Sequence, residues 1–118
     1  MTENEVLEIL LEIKEIQVDR FEVQDRHLHI YCSSVFQEAL CPDCLKKRQV
    51  VNQTYLRRFR DLPIAGKEVY LHLSQRQFYC PDCGRHFNER FNFVDVKRTM
   101  TCRYERHVYE CCKASTIQ

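Results

Sequence analysis

Two copies of a Cys-Pro-Asp-Cys motif are the part of this sequence with the clearest chemistry. They place Cys41 and Cys44 in the first copy and Cys80 and Cys83 in the second. Zn²⁺ prefers four tetrahedral ligands, and a C-x-x-C turn points two thiolate sulfurs at one ion. Each copy therefore supplies half of a coordination shell, and the two copies together predict one structural Zn²⁺.

Other uses of paired cysteines are alternatives to zinc. The acidic N-terminal stretch MTENEVLEILLEIKEI lacks the basic leader and cleavage site of a signal peptide, which predicts a cytoplasmic location where disulfides are rare. A redox C-x-x-C pair needs a helix N-terminus in a βαβ context, and the sequence pattern predicts neither. Iron stays open as an alternative, because tetrahedral sulfur sites accept iron as well as zinc.

The elements that must bring the two motifs together are predicted strands. Residues 49–60 and 67–79 read as two long strands, and Pro63 and Gly66 can turn the chain between them. A hairpin returns its two ends to the same place, so it would set the second motif beside the first. This arrangement is a zinc ribbon.

Shorter elements flank the ribbon and complete an α+β fold. Residues 3–13 predict an amphipathic helix. Residues 16–23 and 27–32 predict a hairpin with a bulge or a strand end between Val18 and Phe21, and residues 33–40 predict a loop. Residues 87–96 show no clear period, and Thr99 or Thr101 can cap a C-terminal helix. We expect three units: a helix and hairpin (1–36), the ribbon (37–98) and the C-terminal helix (99–118).

The remaining cysteines and the histidines carry weaker signals. Cys32 lies on the apolar face of a predicted strand, where a free cysteine behaves as a small hydrophobic residue. Three cysteines of the C-terminal helix are expected to pack rather than to bind metal, and three histidines to face outward from strands. These residues are Cys102, Cys111 and Cys112, and His27, His29 and His72. His86 could in principle replace a zinc ligand, and His107 has no predicted partner.

Basic residues are concentrated in the middle of the chain. Residues 1–44 carry three basic and ten acidic side chains, whereas residues 45–106 carry fourteen basic and six acidic ones. Guanidinium groups can contact phosphate or guanine, and lysines act as point charges for the DNA backbone. The candidate nucleic-acid contacts are Lys46, Lys47, Arg48, Arg57, Arg58, Arg60 and Arg76. A solvated charged surface is the alternative interpretation.

Strand alternation limits how many of these residues can touch one duplex. Arg57 and Phe59 are expected to share one face, and Arg58 and Arg60 the other. Asp61 is available to pair with one of these arginines.

The order of these motifs resembles the N-terminal zinc-finger domain of the ISL-three family of bacterial insertion-sequence transposases. The resemblance rests on the turn RDLPIAG and the following RQFYCPDCGRHF, and it covers most of residues 15–112. Leu45 departs from the family pattern, because it follows the first motif where the family has glycine, as Gly84 does after the second. The sequence therefore predicts a slightly distorted first turn.

The resemblance implies a module that binds double-stranded DNA and helps a transposase recognise its terminal inverted repeats. In the family, a helix-turn-helix and an acidic catalytic domain follow this segment, so no catalysis is expected here. No membrane association and no small-molecule substrate are expected either. The alternative is a protein-interaction or dimerisation ribbon that forms a homo-oligomer. Its contact surface would be the acidic helix or Phe87, Phe91 and Phe93.

Overall fold

Strands dominate the structure because β-branched and aromatic residues alternate with polar ones along much of the chain. The computed structural model describes residues 2–95 and 98–116. In chain order the elements are α1 (Glu3–Leu11), β1 (Ile16–Gln24), β2 (His27–Ser34), β3 (Ala39–Leu40), β4 (Lys47–Arg48), β5 (Val51–Ile64), β6 (Lys67–Cys80), β7 (Arg85–Asn88) and α2 (Cys102–Thr116). The predicted α+β class is confirmed. None of the described helices has the length and apolar character needed to cross a membrane.

Both predicted hairpins are confirmed, and they join in one sheet. β1 pairs antiparallel with β2, and β5 pairs antiparallel with β6. β2 runs parallel to β6, which gives the order β1-β2-β6-β5, and β7 pairs with the end of β6. β6 is therefore the central strand, with β5 along one edge and β2 and then β7 along the other. The sheet links residues 1–36 to residues 37–98, and the division into three units stays a prediction.

The turn of the long hairpin is tighter than the sequence predicted. β5 continues to Ile64, and Ala65 and Gly66 make the turn with φ of 51° and 75°. Positive φ at both central positions matches the twist of the two strands. Pro63 lies inside β5, where the pairing register shifts between Asp61 and Ile64. A register shift is a place where a strand tolerates proline, because no ladder hydrogen bond is lost.

Other boundaries also differ from the sequence predictions. α1 ends at Leu11 rather than at residue 13, because Glu12 adopts a left-handed φ of 56°. Residues 33–40 are not all loop, since they contain the end of β2 and the short strand β3. The predicted bulge in β1 is confirmed by a register shift between Val18 and Arg20. Residue 96 of the aromatic stretch and residues 117–118 of the C-terminal segment lie outside the described residues.

The core lies on one face of the sheet, under α1 and the segment that follows β7. Its buried members are Leu11, Ile16, Val18, Leu28, Ile30, Cys32, Phe59, Val69, Leu71, Leu73 and Phe91. Cys32 is 3% exposed, which confirms its interpretation as a buried apolar residue. Burial also raises the pKa of the Cys32 thiol to about 12, so it stays a neutral thiol.

Buried Asp61 anchors the beginning of α2. Its carboxylate accepts hydrogen bonds from the Thr101 hydroxyl and from Arg103 Nε, each at 2.8 Å. The Thr101 hydroxyl also accepts the Tyr104 N–H at 3.3 Å, which confirms Thr101 as a capping residue. The expectation that Asp61 pairs with an arginine of its own strand is wrong. Its side chain points to the core face, where Arg103 meets it.

Candidate functional site

Both Cys-Pro-Asp-Cys motifs fold into the same closed turn. The Leu45 N–H donates to the Cys41 carbonyl, and the Gly84 N–H donates to the Cys80 carbonyl, both at 2.8 Å. Leu45 and Gly84 are left-handed, with φ of 60° and 64°. The expected distortion of the first turn is therefore not found. Instead Leu45 adopts the glycine-like conformation, which costs a residue with a Cβ about 1 kcal/mol.

The sheet sets the two turns against each other. The second turn connects β6 to β7, and the first connects β3 to β4. The Sγ atoms of Cys41 and Cys83 lie 3.8 Å apart, and those of Cys44 and Cys80 lie 3.6 Å apart. All four sulfurs fall within 4.8 Å of one another. Sulfurs at the corners of a tetrahedron around zinc are about 3.8 Å apart, so the cluster fits one structural Zn²⁺.

Charged residues next to each turn form ion pairs with the opposite turn. Asp82, inside the second motif, accepts hydrogen bonds from Lys46 Nζ at 2.8 Å and from Arg48 Nη2 at 2.7 Å. In the reverse direction, Asp43 of the first motif pairs with Arg85 at 3.2 Å. The hydrogen bond from Lys46, followed by that from Arg48, lowers the pKa of Asp82. The aspartate of each motif therefore helps to hold the two turns together.

The environment favours the thiolate form at Cys44 and Cys80, whereas burial, followed by hydrogen bonds with the other cluster cysteines, raises the pKa of Cys83 to about 12. Burial raises the pKa of Cys80, but hydrogen bonds from the Cys83 backbone and from neighbouring groups outweigh it and lower the pKa to about 6. A backbone hydrogen bond at Lys46 is the main cause of the lowered pKa of Cys44. Arg48 adds a nearby positive charge, with Nη2 3.9 Å from Cys44 Sγ. These groups would support zinc ligation from outside the first coordination shell.

The other candidate sulfur and nitrogen ligands lie outside this cluster. The four cluster cysteines form no disulfides in the structure, so their sulfurs are available to a metal ion. Cys111 and Cys112 are exposed, so the expectation that they pack is wrong. Cys111 Sγ lies 3.7 Å from His107 Nε2, which gives His107 a partner that the sequence did not predict. His86 packs its ring against Tyr79, with centroids 5.1 Å apart.

The seven candidate nucleic-acid contacts do not converge on one surface. Lys46 and Arg48 bind Asp82, Arg60 pairs with Glu68, and Arg76 pairs with the buried Glu89. The predicted division of the β5 arginines between the two faces is confirmed, because Arg57 donates to Gln75 whereas Arg58 lies over the Tyr70 ring. Lys47 is exposed on β4. Strand alternation divides the β5 arginines between two faces of the sheet, and ion pairs already engage four of the seven candidates.

Sequence reasoning missed the roles of Asp43 and Asp82. A signal was present, because basic residues follow each motif within a few positions: Lys46 and Arg48 after the first, and Arg85 after the second. Two acidic motifs that share one metal ion place each aspartate close to the other motif's basic residues. The ion pairs across the site follow from that arrangement.

Comparisons with known proteins agree with this geometry. Residues 37–83 match the family described as the zinc-finger of transposase IS204/IS1001/IS1096/IS1165. The chain is also 31% identical over 93 residues to the transposase for insertion sequence element IS1001 of Bordetella parapertussis. That similarity covers 79% of this chain and 23% of the relative, so the chain spans about a quarter of the curated relative's length. No solved structure matches the chain.

The matched segment and the metal cluster coincide. Residues 37–83 include all four cluster cysteines and the long β5–β6 hairpin that brings them together. The family description names a zinc finger, which agrees with a four-cysteine cluster that can hold one metal ion. Residues 37–83 are thus similar to the zinc finger of this transposase family, and their four cysteines fit one structural zinc ion.

Proposed function

We propose that this chain is a cytoplasmic, zinc-stabilised module that binds double-stranded DNA and helps a transposase recognise the terminal inverted repeats of its element. The observation that carries the proposal is the match of residues 37–83 to a transposase zinc finger built around the four-cysteine cluster. The relative is named as the transposase of an insertion sequence. A small zinc module in such a protein has the element's own DNA as its natural partner.

Three of the candidate contacts support DNA binding most directly. Among the described residues, Lys47, Arg57 and Arg58 take part in none of the ion pairs. A phosphate would therefore meet their charges without displacing a carboxylate. The paired residues Lys46, Arg48, Arg60 and Arg76 stay predictions, since each would have to exchange or share its carboxylate partner to contact DNA.

The proposal assigns binding, and not strand cleavage, to these residues. Within residues 2–95 and 98–116, the group placed to hold a metal ion is the four-cysteine cluster. A zinc ion with four protein thiolates is coordinatively closed, so it has no open position for a substrate oxygen or a water nucleophile. Zinc here would fix the shape of a binding surface.

Fluorescence anisotropy of the zinc-loaded chain tests this function. One labelled duplex carries the terminal repeat of the element, and a second has the same composition in scrambled order. We expect affinity to fall steeply with salt, with a slope of log K against log salt of about −0.9 for each phosphate contacted, and to be higher for the repeat. Absence of salt-dependent binding to either duplex would contradict the proposal.

A protein-interaction module is a second candidate, favoured by an exposed apolar surface beside the first turn. Phe36, Leu40 and Leu45 are 51%, 56% and 70% exposed, and they line a cavity of about 850 Å³. Exposed apolar groups gathered around a cavity often mark a binding surface. Sedimentation at increasing concentration distinguishes the two candidates, because a strict monomer would count against dimerisation through this surface.

The prediction that Phe87, Phe91 and Phe93 form this contact surface is wrong. Phe91 is 7% exposed and Phe93 packs against the core, while Phe87 stacks on the buried Phe78. The outer side of α1 still exposes Val6, Ile9 and Leu10.

A further inference from the structure

The central strand β6 buries opposite faces in its two halves. Val69, Leu71 and Leu73 are buried in the first half, whereas Phe78 and Cys80 are buried in the second. Side chains alternate along a strand, so the face that belongs to the core in the first half turns outward in the second. At the zinc end of the sheet, this face is polar.

Amide side chains form a row across this polar face. Gln53 of β5 is in register with Gln77 of β6, and Gln77 is in register with Asn88 of β7. In-register residues of adjacent strands share a face about 5 Å apart, so three amides span roughly 10 Å. Asn52 and Gln53 each donate to Gln77 Oε1, at 2.7 and 3.2 Å. The row is ordered by its own hydrogen bonds, yet Gln53 and Asn88 at its ends are exposed.

Two arginines border the row. Arg57 donates from Nη1 to Gln75 Oε1 at 3.0 Å and from Nη2 to the Arg98 carbonyl at 3.2 Å. A guanidinium has five N–H donors, so Arg57 is held in place with donors left over. Arg90 is exposed and lines the same cleft of about 580 Å³ as Arg57 and Asn88.

The carboxylates of this cleft are mostly neutralised within the fold. Two of the three are paired, as Asp43–Arg85 at 3.2 Å and Glu89–Arg76 at 2.9 Å. Asp95 is the third carboxylate of the lining, and it supplies one negative charge where Arg57 and Arg90 supply two positive ones. The balance of charge beside the amide row is therefore positive, which suits a phosphate backbone.

The polar surface on the other side of the sheet is less suited to DNA. There Glu68 approaches both Arg60, at 3.4 Å, and His27, at 2.9 Å. The rings of Tyr31 and His72 stack on each other with centroids 4.5 Å apart. Many of the charged and aromatic side chains on that side therefore already contact one another.

Building on the DNA-binding function proposed above, we propose that the amide row and the two arginines beside it form the DNA-contacting surface. Glutamine and asparagine amides can make paired hydrogen bonds to the edge of adenine in the major groove, which is about 12 Å wide and admits a β-ribbon. Gln53 and Asn88 contact base edges, and Arg57 and Arg90 bind phosphates. Of the seven contacts predicted from the sequence, Arg57 lines this cleft and Arg58 faces the opposite side.

Anisotropy with three variants of the zinc-loaded chain tests the location of the surface. Gln53→Ala combined with Asn88→Ala removes both exposed amides, and Arg90→Ala removes one phosphate contact. Arg26→Ala is the matched control, because it removes one exposed arginine from the turn between β1 and β2, at the end of the sheet away from the zinc cluster. Zinc content and circular dichroism establish that each variant is folded.

We expect the double amide variant to lose about tenfold affinity for the terminal-repeat duplex and much less for the scrambled one. Arg90→Ala should weaken both complexes and reduce the salt slope by about one, while Arg26→Ala changes neither. If the unmodified chain binds no duplex, the DNA-binding function itself fails. If it binds DNA and neither the amide variant nor Arg90→Ala weakens the complex, the function stands and this surface is wrong. Equal loss on both duplexes for the amide variant would overturn base reading.

Discussion

The two Cys-Pro-Asp-Cys turns share their sequence and their closing hydrogen bond, but they are attached to different supports. The first cysteine of each turn is buried, but the second turn joins the central strand β6 to β7. The first lies between β3 and β4, which pair through two residues each. Leu40 and Leu45, on either side of the first turn, are more than half exposed. The sheet holds the second turn, whereas the first has little besides zinc and ion pairs to hold it.

This difference shows what the metal does in the fold. Binding a structural zinc ion contributes folding free energy directly, because the unfolded chain has no preformed site. Here that contribution falls unevenly along the chain. Zinc ties a small hairpin without a core of its own to a sheet that has one.

Removing a zinc ligand should have the largest effect on the difference between the two turns. Cys80→Ser leaves three thiolates, and we expect it to abolish tight zinc binding, a loss of order 10 kcal/mol of metal-dependent free energy. Amide hydrogen exchange should then show full loss of protection at residues 39–48 and fraying of the zinc end of β5 and β6. Residues 28–32 and 69–73, which belong to the core, should stay protected.

A matched control is Cys111→Ser, because Cys111 is exposed and lies on α2 outside the cluster. It should keep one zinc per chain and native exchange. Protection of residues 39–48 that survives in metal-free Cys80→Ser would show that the first turn has a support other than zinc.

The residues that close the two turns, Leu45 and Gly84, provide a second test of the difference between the turns. Gly84→Leu makes the second turn like the first, and a Cβ at Gly84 would meet no atom within 4 Å. The cost is then the left-handed backbone alone, about 1 to 2 kcal/mol. Leu45→Gly removes that strain but adds backbone freedom to the unfolded chain, so we expect a gain of about 0.5 kcal/mol.

Urea unfolding of the two zinc-loaded variants measures these opposite shifts. The sign distinguishes strain from packing, because Leu45 is 70% exposed and little apolar contact is lost with its side chain. A destabilised Leu45→Gly variant would show that Leu45 packs in a way that the turn geometry does not require.

Local signals in the sequence predicted the metal cluster and both hairpins. Alternation at Val69, Leu71 and Leu73, together with the repeated motif, was enough to place Cys41 and Cys44 beside Cys80 and Cys83. These predictions depend on neighbours along the chain or across one hairpin. The repeated motif is also easy to recognise in the sequence, because few residue types other than cysteine bind zinc.

Long-range pairing could not be predicted in this way. Nothing local indicates that β2 lies parallel to β6, or that Asp61 meets Arg103 rather than an arginine of β5. The change of buried face along β6 was visible, since the apolar positions move from Leu73 to Phe78. The change of buried face can be interpreted only with β7 in place, and the sequence does not predict β7 because a four-residue strand is too short to show a period.

The aspartates inside the two motifs should give the smallest difference, and the one that depends most on solution conditions. Asp82 accepts hydrogen bonds from both Lys46 and Arg48, whereas Asp43 pairs with Arg85, whose side chain is 71% exposed. Asp82→Asn should therefore lower zinc affinity about tenfold, and Asp43→Asn clearly less. Competition with a chromophoric chelator measures both. These pairs lie at the surface, so the gap between the variants should narrow as salt screens them. A gap that persists in high salt would mean that Asp82 acts through the shape of the turn rather than through charge.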